Sequence, residues 1–189
     1  LIGSWLEEMG SGYIAASDAQ VEAKRIEHWV NSFLLLQGLP CEAFLTADFL
    51  RRWLARIAEE AYYISTHLKP VRNHRTFQLY SVFLVGVVFP EFRLHPYFLE
   101  TGRERLAENL LTDFLADGVH IEMSTHYHQL VLETALSFLE WSRLNALPLD
   151  DLLLDRLHRA LEFSMYLQWP NGEIPLINDS DEGDHRELL

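Results

Sequence analysis

Apolar residues recur at three- and four-residue spacing along most of the chain, which is the spacing of one face of an α-helix. The first such stretch runs from Ala19 to about Gln37 and is closed by Gly38-Leu39-Pro40. Five further stretches share the pattern, and they run from Cys41 or Thr46 to His67, from Asn73 to about Phe89, from about Tyr97 to Ala116, from Thr125 to about Asn145, and from Pro148 or Asp150 to about Trp169. The pattern predicts six helices.

Strand-like alternation of apolar and polar residues is almost absent, with at most a short strand at 174–177. Helices of ~15–20 residues joined by short connections favour antiparallel neighbours. The pattern predicts the all-α class and leaves both a toroid of helical hairpins and an ordinary bundle open. We expect residues 1–18 to be mostly loop, 19–170 to form helical hairpins and 171–189 to form a polar loop.

Composition limits the classes of function. A chain of 189 residues with 49% hydrophobic residues fits one domain with a substantial core. Its formal net charge of −13 argues against a nucleic-acid partner, because such proteins usually carry a basic stripe. The longest apolar run, 77–89, is shorter than the ~20 residues of a membrane span, so we expect none. The chain starts at Leu1 without a signal peptide, and we expect it to be part of a longer protein.

The stretch 117–128 concentrates groups that can move protons or bind charge, among them three His, two acids and Tyr127. We expect Gly118 to close the preceding helix and Ser124 or Thr125 to cap the next one. Tyr127 then lies in the first turn of that helix. A phenol can donate a proton, and a phenolate can accept one. The plainer interpretation is a rim tyrosine packed on its helix with the hydroxyl in water.

A second polar group opens the predicted third helix. Asn73 suits the N-cap position, which explains this residue without any function. Alternatively, the helix N-terminus, the amide of Asn73 and the imidazole of His74 together bind a carboxylate.

The histidines and acids do not form a known metal motif. His126 and His128 are two residues apart, so on a helix they point to nearly opposite sides. The chain has no HExxH or CxxC pattern. Asp179, Asp181 and Asp184 match the calcium-binding EF-hand loop only in part. We therefore expect no metal site in this chain.

Four short motifs occur in a characteristic order between Arg25 and Asp184: Arg25-Ile26-x-x-Trp29, Asn73-His74, Asp117-Gly118 followed by Glu122-x-Ser124-x-x-Tyr127-His128, and Asn171-Gly172-x-x-Pro175-x-x-Asn178-Asp179. Together they resemble the heparinase II/III-like polysaccharide lyases. The resemblance implies an incomplete (α/α) toroid of antiparallel helical hairpins, belonging to a larger two-domain protein. It also implies cleavage of a uronic-acid glycan by β-elimination, and it favours a periplasmic or secreted location.

The resemblance also implies roles for particular residues. Asn73 and His74 fall where the family neutralises the uronate carboxylate, and Tyr127 falls at the position of the catalytic tyrosine. The substrate-binding residues expected around them are Arg75, Glu122, His128, Asn178 and Asp179.

The chain departs from the family pattern in one respect. The family usually takes further His and Tyr residues, and often a structural zinc, from a C-terminal β-sandwich domain that these 189 residues do not include. We therefore expect the β-sandwich as a partner, an acidic polysaccharide as the substrate and no cofactor in this chain. The alternative is a toroid that binds acidic glycan or packs on a partner domain without catalysis.

Overall fold

The computed structural model describes residues 2–8, 19–37 and 45–180. Within these ranges the chain forms helices and no strand, and one isolated antiparallel bridge joins Phe114 to His120. The helices are α1 (Ile2–Glu8), α2 (Ala19–Leu36), α3 (Ala47–Thr66), α4 (Asn73–Val88), α5 (His95–Asp113), α6 (Thr125–Leu144) and α7 (Asp151–Leu167). The all-α class is confirmed for the described part of the chain, and the toroid arrangement stays a prediction.

The six predicted helices correspond to α2–α7, and the predicted starts of α2 and α6 coincide with the observed ones. Helix α1 was not predicted, since its short stretch has too little apolar periodicity to stand out. Residues 174–177 form no strand. Cys41, Asp181, Asp184 and the rest of the predicted N-terminal loop at 9–18 lie outside the described residues.

Three helices begin at a short polar side chain that accepts a backbone N–H of the first turn. The Thr46 hydroxyl accepts from Phe49 N at 3.2 Å, the Ser124 hydroxyl from Tyr127 N at 3.2 Å, and the Asp150 carboxylate from Leu152 N at 2.7 Å. Each contact satisfies a donor that the helix itself leaves unpaired and contributes ~0.5–2 kcal/mol.

The chain divides into two compact units, with one division in the connection between α3 and α4 and two more within α4 and α5. The first unit comprises Leu1–Lys69 and Gln78–Arg103. Its core includes the buried side chains of Ile26, Trp53, Ile57, Ile64, Phe83 and Phe98. A buried ion pair between Arg25 and Glu60, with 2.9 Å from Nη2 to Oε2, joins α2 to α3.

The second unit comprises Pro70–Phe77 and Glu104–Leu189, and it contains every predicted site residue. Its core is formed by α5, α6 and α7. The fully buried apolar side chains there are Leu106, Leu110, Phe114, Val131, Leu132, Ala135, Phe138, Leu153 and Ala160.

Gly118 does not close α5, because α5 ends earlier, at Asp113. It lies instead in a tight turn, in which its N–H donates to the Leu115 carbonyl at 2.9 Å and its φ is +88°. A Cβ on Gly118 would lie 2.5 Å from Ala160 N and closer still to the Arg159 carbonyl carbon. The turn therefore packs directly on the backbone of α7, which only glycine permits.

We expect Gly118→Ala to lower the free energy of unfolding by about 2–4 kcal/mol. Positive φ costs an L-residue ~1–2 kcal/mol, and the added methyl must also push two stretches of backbone apart. Gly172→Ala is the control, because Gly172 shares the positive φ, at +87°. Urea unfolding of both variants measures their losses of unfolding free energy, and we expect the larger loss for Gly118→Ala. Equal losses in the two variants would show that the added methyl meets no costly clash with α7.

Candidate functional site

Helix α4 begins at Asn73 itself, so the predicted N-cap role of Asn73 is wrong. The capping position belongs to Arg72, whose carbonyl accepts the N–H groups of Arg75 at 2.9 Å and Thr76 at 3.2 Å. Arg72 has a φ of +74°, an uncommon conformation for a residue other than glycine. The start of α4 is therefore held in an unusual backbone geometry.

The backbone N–H of Asn73 donates to Glu122 Oε1 at 3.1 Å. A carboxylate at a helix N-terminus is favourable, because the helix dipole places partial positive charge there. This N–H is thus already taken by an acid of the protein itself.

The remaining residues of this turn differ in exposure. Asn73 is 6% exposed, whereas His74 and Arg75 are half-buried. The Arg75 guanidinium donates to the Pro70 carbonyl at 3.1 Å, which holds its stem against the connection before α4.

The start of α6 is tied to the polar loop that follows α7. The Ser124 hydroxyl donates to the Asp179 carbonyl at 2.7 Å, and the Thr125 hydroxyl donates to the Pro175 carbonyl at 2.6 Å. The Ser180 hydroxyl accepts the N–H of His126 at 3.2 Å. The sequence pattern indicated a cap at Ser124 or Thr125, and the structure adds bonds from both residues to partners about fifty residues away.

Asn178 and Asp179 are both exposed in this loop. Asn178 has a φ of +57°, and its amide nitrogen donates to the Met123 carbonyl. The two predicted substrate-binding residues are therefore held beside the cap of α6. The Asp179 carboxylate projects from a backbone that the Ser124 hydroxyl fixes.

Tyr127 lies in the first turn of α6, as predicted, and is half-buried. Its ring contacts the His126 ring edge-on, with centroids 5.4 Å apart. The structure connects Tyr127 to the start of α4 through one short path: Ser124 caps α6 at Tyr127 N, and Glu122, two residues earlier, binds Asn73 N.

His128 is 1% exposed, and both of its ring nitrogens are bonded inside the protein. Nε2 donates to the Ala160 carbonyl at 3.1 Å, and Nδ1 accepts the backbone N–H of His120 at 3.3 Å. His120 is itself fully buried, and its Nδ1 accepts the N–H of Glu122 at 3.4 Å. The predicted substrate contact of His128 is therefore corrected to a structural role.

Burial lowers the pKa of both His120 and His128 to about 4. Unfolded histidine titrates near 6.5. Between these values the unfolded chain binds more protons, so the free energy of unfolding falls as pH drops from about 6.5 to about 4. We expect each histidine to contribute on the order of 3 kcal/mol, fully present above pH 6.5.

Urea unfolding at several pH values tests this expectation. Burial raises the pKa values of Asp113 and Glu60, which makes the free energy of unfolding rise as pH falls and so opposes the effect of the histidines. The slope of unfolding free energy against pH is therefore compared between wild type and variants. His128→Gln should lose a large part of the slope, and His158→Gln, which changes an exposed histidine, should keep it. Identical slopes in all three proteins would contradict the assignment.

Two further properties hold for the described ranges. No group of three or more His, Cys, Asp or Glu residues within them is arranged to hold a metal ion. None of the helices there combines the length and the apolar character needed to cross a membrane.

The chain matches the family model described as heparinase II/III N-terminus over residues 19–189. This match covers most of the chain. The protein therefore belongs to the heparinase II/III family, as the four sequence motifs predicted.

Two characterised relatives are heparin-sulfate lyases. The one from Pedobacter heparinus is 31% identical over 112 residues, which is 59% of this chain and 16% of the relative. The one from Bacteroides thetaiotaomicron is 29% identical over 158 residues, which is 77% of this chain and 22% of the relative. The crystal structure of heparinase III superposes with a TM-score of 0.82 at 25% identity, covering 90% of this chain and 27% of that one. The chain thus spans about a quarter or less of each relative's length.

Proposed function

We propose that these residues form the helical part of a polysaccharide lyase that cleaves a heparan-type, uronic-acid-containing glycan by β-elimination. Membership of the heparinase II/III family and the names of the two relatives support this substrate class. The observation that carries the proposal for the site is the bond from Asn73 N to Glu122, because it joins the turn bearing Asn73 and His74 to the loop leading to Tyr127.

The reaction breaks the C4–O4 bond of the uronate and forms a C4=C5 double bond. A base removes the C5 proton, the electron pair moves into the new double bond, and O4 leaves and takes up a proton. The C5 proton becomes acidic enough only when the charge of the adjacent carboxylate is neutralised. The protein must therefore supply an electrophilic clamp and a group that transfers protons.

Asn73 and His74 supply the clamp in this proposal. The amide of Asn73 and the imidazole of His74 donate hydrogen bonds to the uronate carboxylate, and these bonds strengthen as negative charge develops on it. Because Glu122 already satisfies the backbone N–H of Asn73, the first turn of α4 is fixed before substrate arrives. Fixed donors lose little free energy to reorganisation in the reaction.

Tyr127 supplies the proton transfer. Its phenolate accepts the C5 proton, and the phenol then returns a proton to the leaving O4, which restores the residue. Ser124 and the loop at 175–180 hold the first turn of α6, so the ring is presented from a rigid helix end. A reacting group on a rigid element keeps the short distances that proton transfer requires.

The other predicted residues bind the glycan around this centre. Arg75 carries a positive charge directly after the clamp in sequence and attracts the anionic substrate. The exposed side chains of Asn178 and Asp179 meet sugar hydroxyls, and the second carboxylate oxygen of Glu122 can accept one. His128 has no contact with substrate in this scheme and serves to position the loop.

The test is to incubate the natural full-length protein with a panel of acidic glycans and follow ultraviolet absorbance in the band of unsaturated uronates. We expect a rise with heparan-type glycan. Binding without a rise would favour the alternative, a helical domain that holds acidic glycan and does not cleave it. If the protein neither binds the glycans nor raises the absorbance, the result favours a scaffold role.

A further inference from the structure

Asp113, the last residue of α5, is 1% exposed and belongs to a buried polar cluster. Its Oδ2 accepts from Asn109 Nδ2 at 2.8 Å and from the Thr76 hydroxyl at 3.4 Å. Asn109 Nδ2 also donates to the Thr76 hydroxyl oxygen at 2.9 Å. Since Thr76 lies in the first turn of α4, the cluster fastens that turn to the end of α5.

The backbone around Asp113 extends the same connection. The Asp113 carbonyl accepts the N–H of Ile121 at 2.7 Å, and Ile121 directly precedes Glu122. A single residue therefore contacts both the start of α4 and the loop that leads to Tyr127.

The surroundings of Asp113 shift the pKa of its carboxyl group. Burial raises the pKa of the Asp113 carboxyl, and the hydrogen bonds from Asn109 and Thr76 oppose the rise. The nearby Glu122 carboxylate raises it further. Two acids thus bind the start of α4: Asp113 accepts from the Thr76 hydroxyl, and Glu122 accepts the N–H of Asn73.

We propose that Asp113 is a positioning residue, which holds the first turn of α4 in register with the 117–124 loop and so fixes Asn73 and His74 relative to Tyr127. The proposal rests on the proposed lyase function. Asp113 itself lies below the surface and does not contact the glycan.

The physical reason lies in the hydrogen-bond inventory of the cluster. A carboxylate only accepts, and here one of its oxygens faces two donors, Asn109 Nδ2 and the Thr76 hydroxyl. In Asp113→Asn the charge is lost, and a neutral amide oxygen accepts these two hydrogen bonds more weakly than a carboxylate does. The first turn of α4 is then held less firmly, and small misplacements of reacting groups can cost ~10²-fold in rate.

The experiment compares the full-length protein with Asp113→Asn, with Thr76→Val and with the control Glu108→Gln, an exposed acid on the same helix. Backbone hydrogen exchange is measured at Arg75 and Thr76, together with kcat and KM on heparan-type glycan. In Asp113→Asn we expect roughly tenfold faster exchange at these amides, kcat lower by about 10–100-fold and KM within about twofold. Thr76→Val should change the same quantities less, and Glu108→Gln should change none.

Several results would overturn the proposal. Unchanged exchange in folded Asp113→Asn would show that the carboxylate does not hold the turn, and exchange that rises equally in α6 and α7 would show only general loosening. If Asp113→Asn fails to fold, Thr76→Val becomes the test, and full activity of Thr76→Val with unchanged exchange would contradict the proposal.

Failure of the proposed lyase function is distinguishable, because the wild-type protein itself would then be inactive. Failure of the positioning role appears as an active wild type with an equally active Asp113→Asn.

Discussion

Tyr127→Phe in the full-length protein lowers turnover of uronic-acid glycan by about 10²–10⁴-fold, which is the usual contribution of a positioned proton-transfer group. The change deletes one hydroxyl and keeps the ring. The backbone N–H of Tyr127 still bonds to the Ser124 hydroxyl, so the cap of α6 is preserved. We therefore expect the melting temperature to stay within a few degrees of wild type.

The measurement is initial rate at saturating glycan, with circular dichroism to confirm folding. Tyr166→Phe is the matched control, since Tyr166 is 88% exposed on α7 and has no role in the proposed site. It should retain wild-type turnover. A folded Tyr127→Phe with unchanged turnover would mean that Tyr127 is only a rim residue, and another group would have to transfer the proton.

The 189 residues by themselves are expected to bind acidic glycan weakly and to give no measurable cleavage. The chain spans 27% of the heparinase III structure that it superposes on, and the family resemblance implies further catalytic His and Tyr from a β-sandwich. An open groove keeps water around the substrate, so each polar contact is weakened by the high dielectric. The net charge of −13 also repels a polyanion at low salt.

The purified 189-residue chain is incubated with heparan-type and alginate-type glycans, and unsaturated products are sought. Binding is followed as salt is raised, where we expect an initial gain as the overall repulsion is screened, and then a loss as the local attraction is screened too. The full-length protein at the same molar concentration is the control. Robust cleavage by the 189 residues would show that the helical part contains the whole machinery, and the two-domain account would be wrong.

The helices could be predicted from the sequence because their signals are local. Apolar periodicity and short polar caps act within a few residues, and the structure assigns the cap predicted at Ser124 or Thr125 to Ser124. Asn73 shows the limit of this reasoning. Its residue type suits an N-cap, but Arg72 takes that position, and the acid that binds Asn73 N is Glu122, 49 residues later.

The candidate site depends on such distant contacts. His128 was placed at the surface by its motif, yet its neighbours His120 and Ala160 hold it in the core. The hydrogen bond from Asn109 to the buried Asp113 and the bond from His126 N to Ser180 could not be predicted from the sequence either. Apolar periodicity shows which face of a helix is buried, but it does not show which polar groups become partners. The order of four short motifs nevertheless predicted the family, which the match over residues 19–189 confirms.

The central claim is that the full-length protein cleaves a uronic-acid glycan by β-elimination, and the product masses test it most directly. A defined heparan-type oligosaccharide is digested, and the fragments are weighed by mass spectrometry. Elimination predicts fragments whose masses add up to that of the parent, one of them carrying a C4=C5 double bond. Fragments that together exceed the parent by the mass of one water would mean hydrolysis, and they would contradict the account.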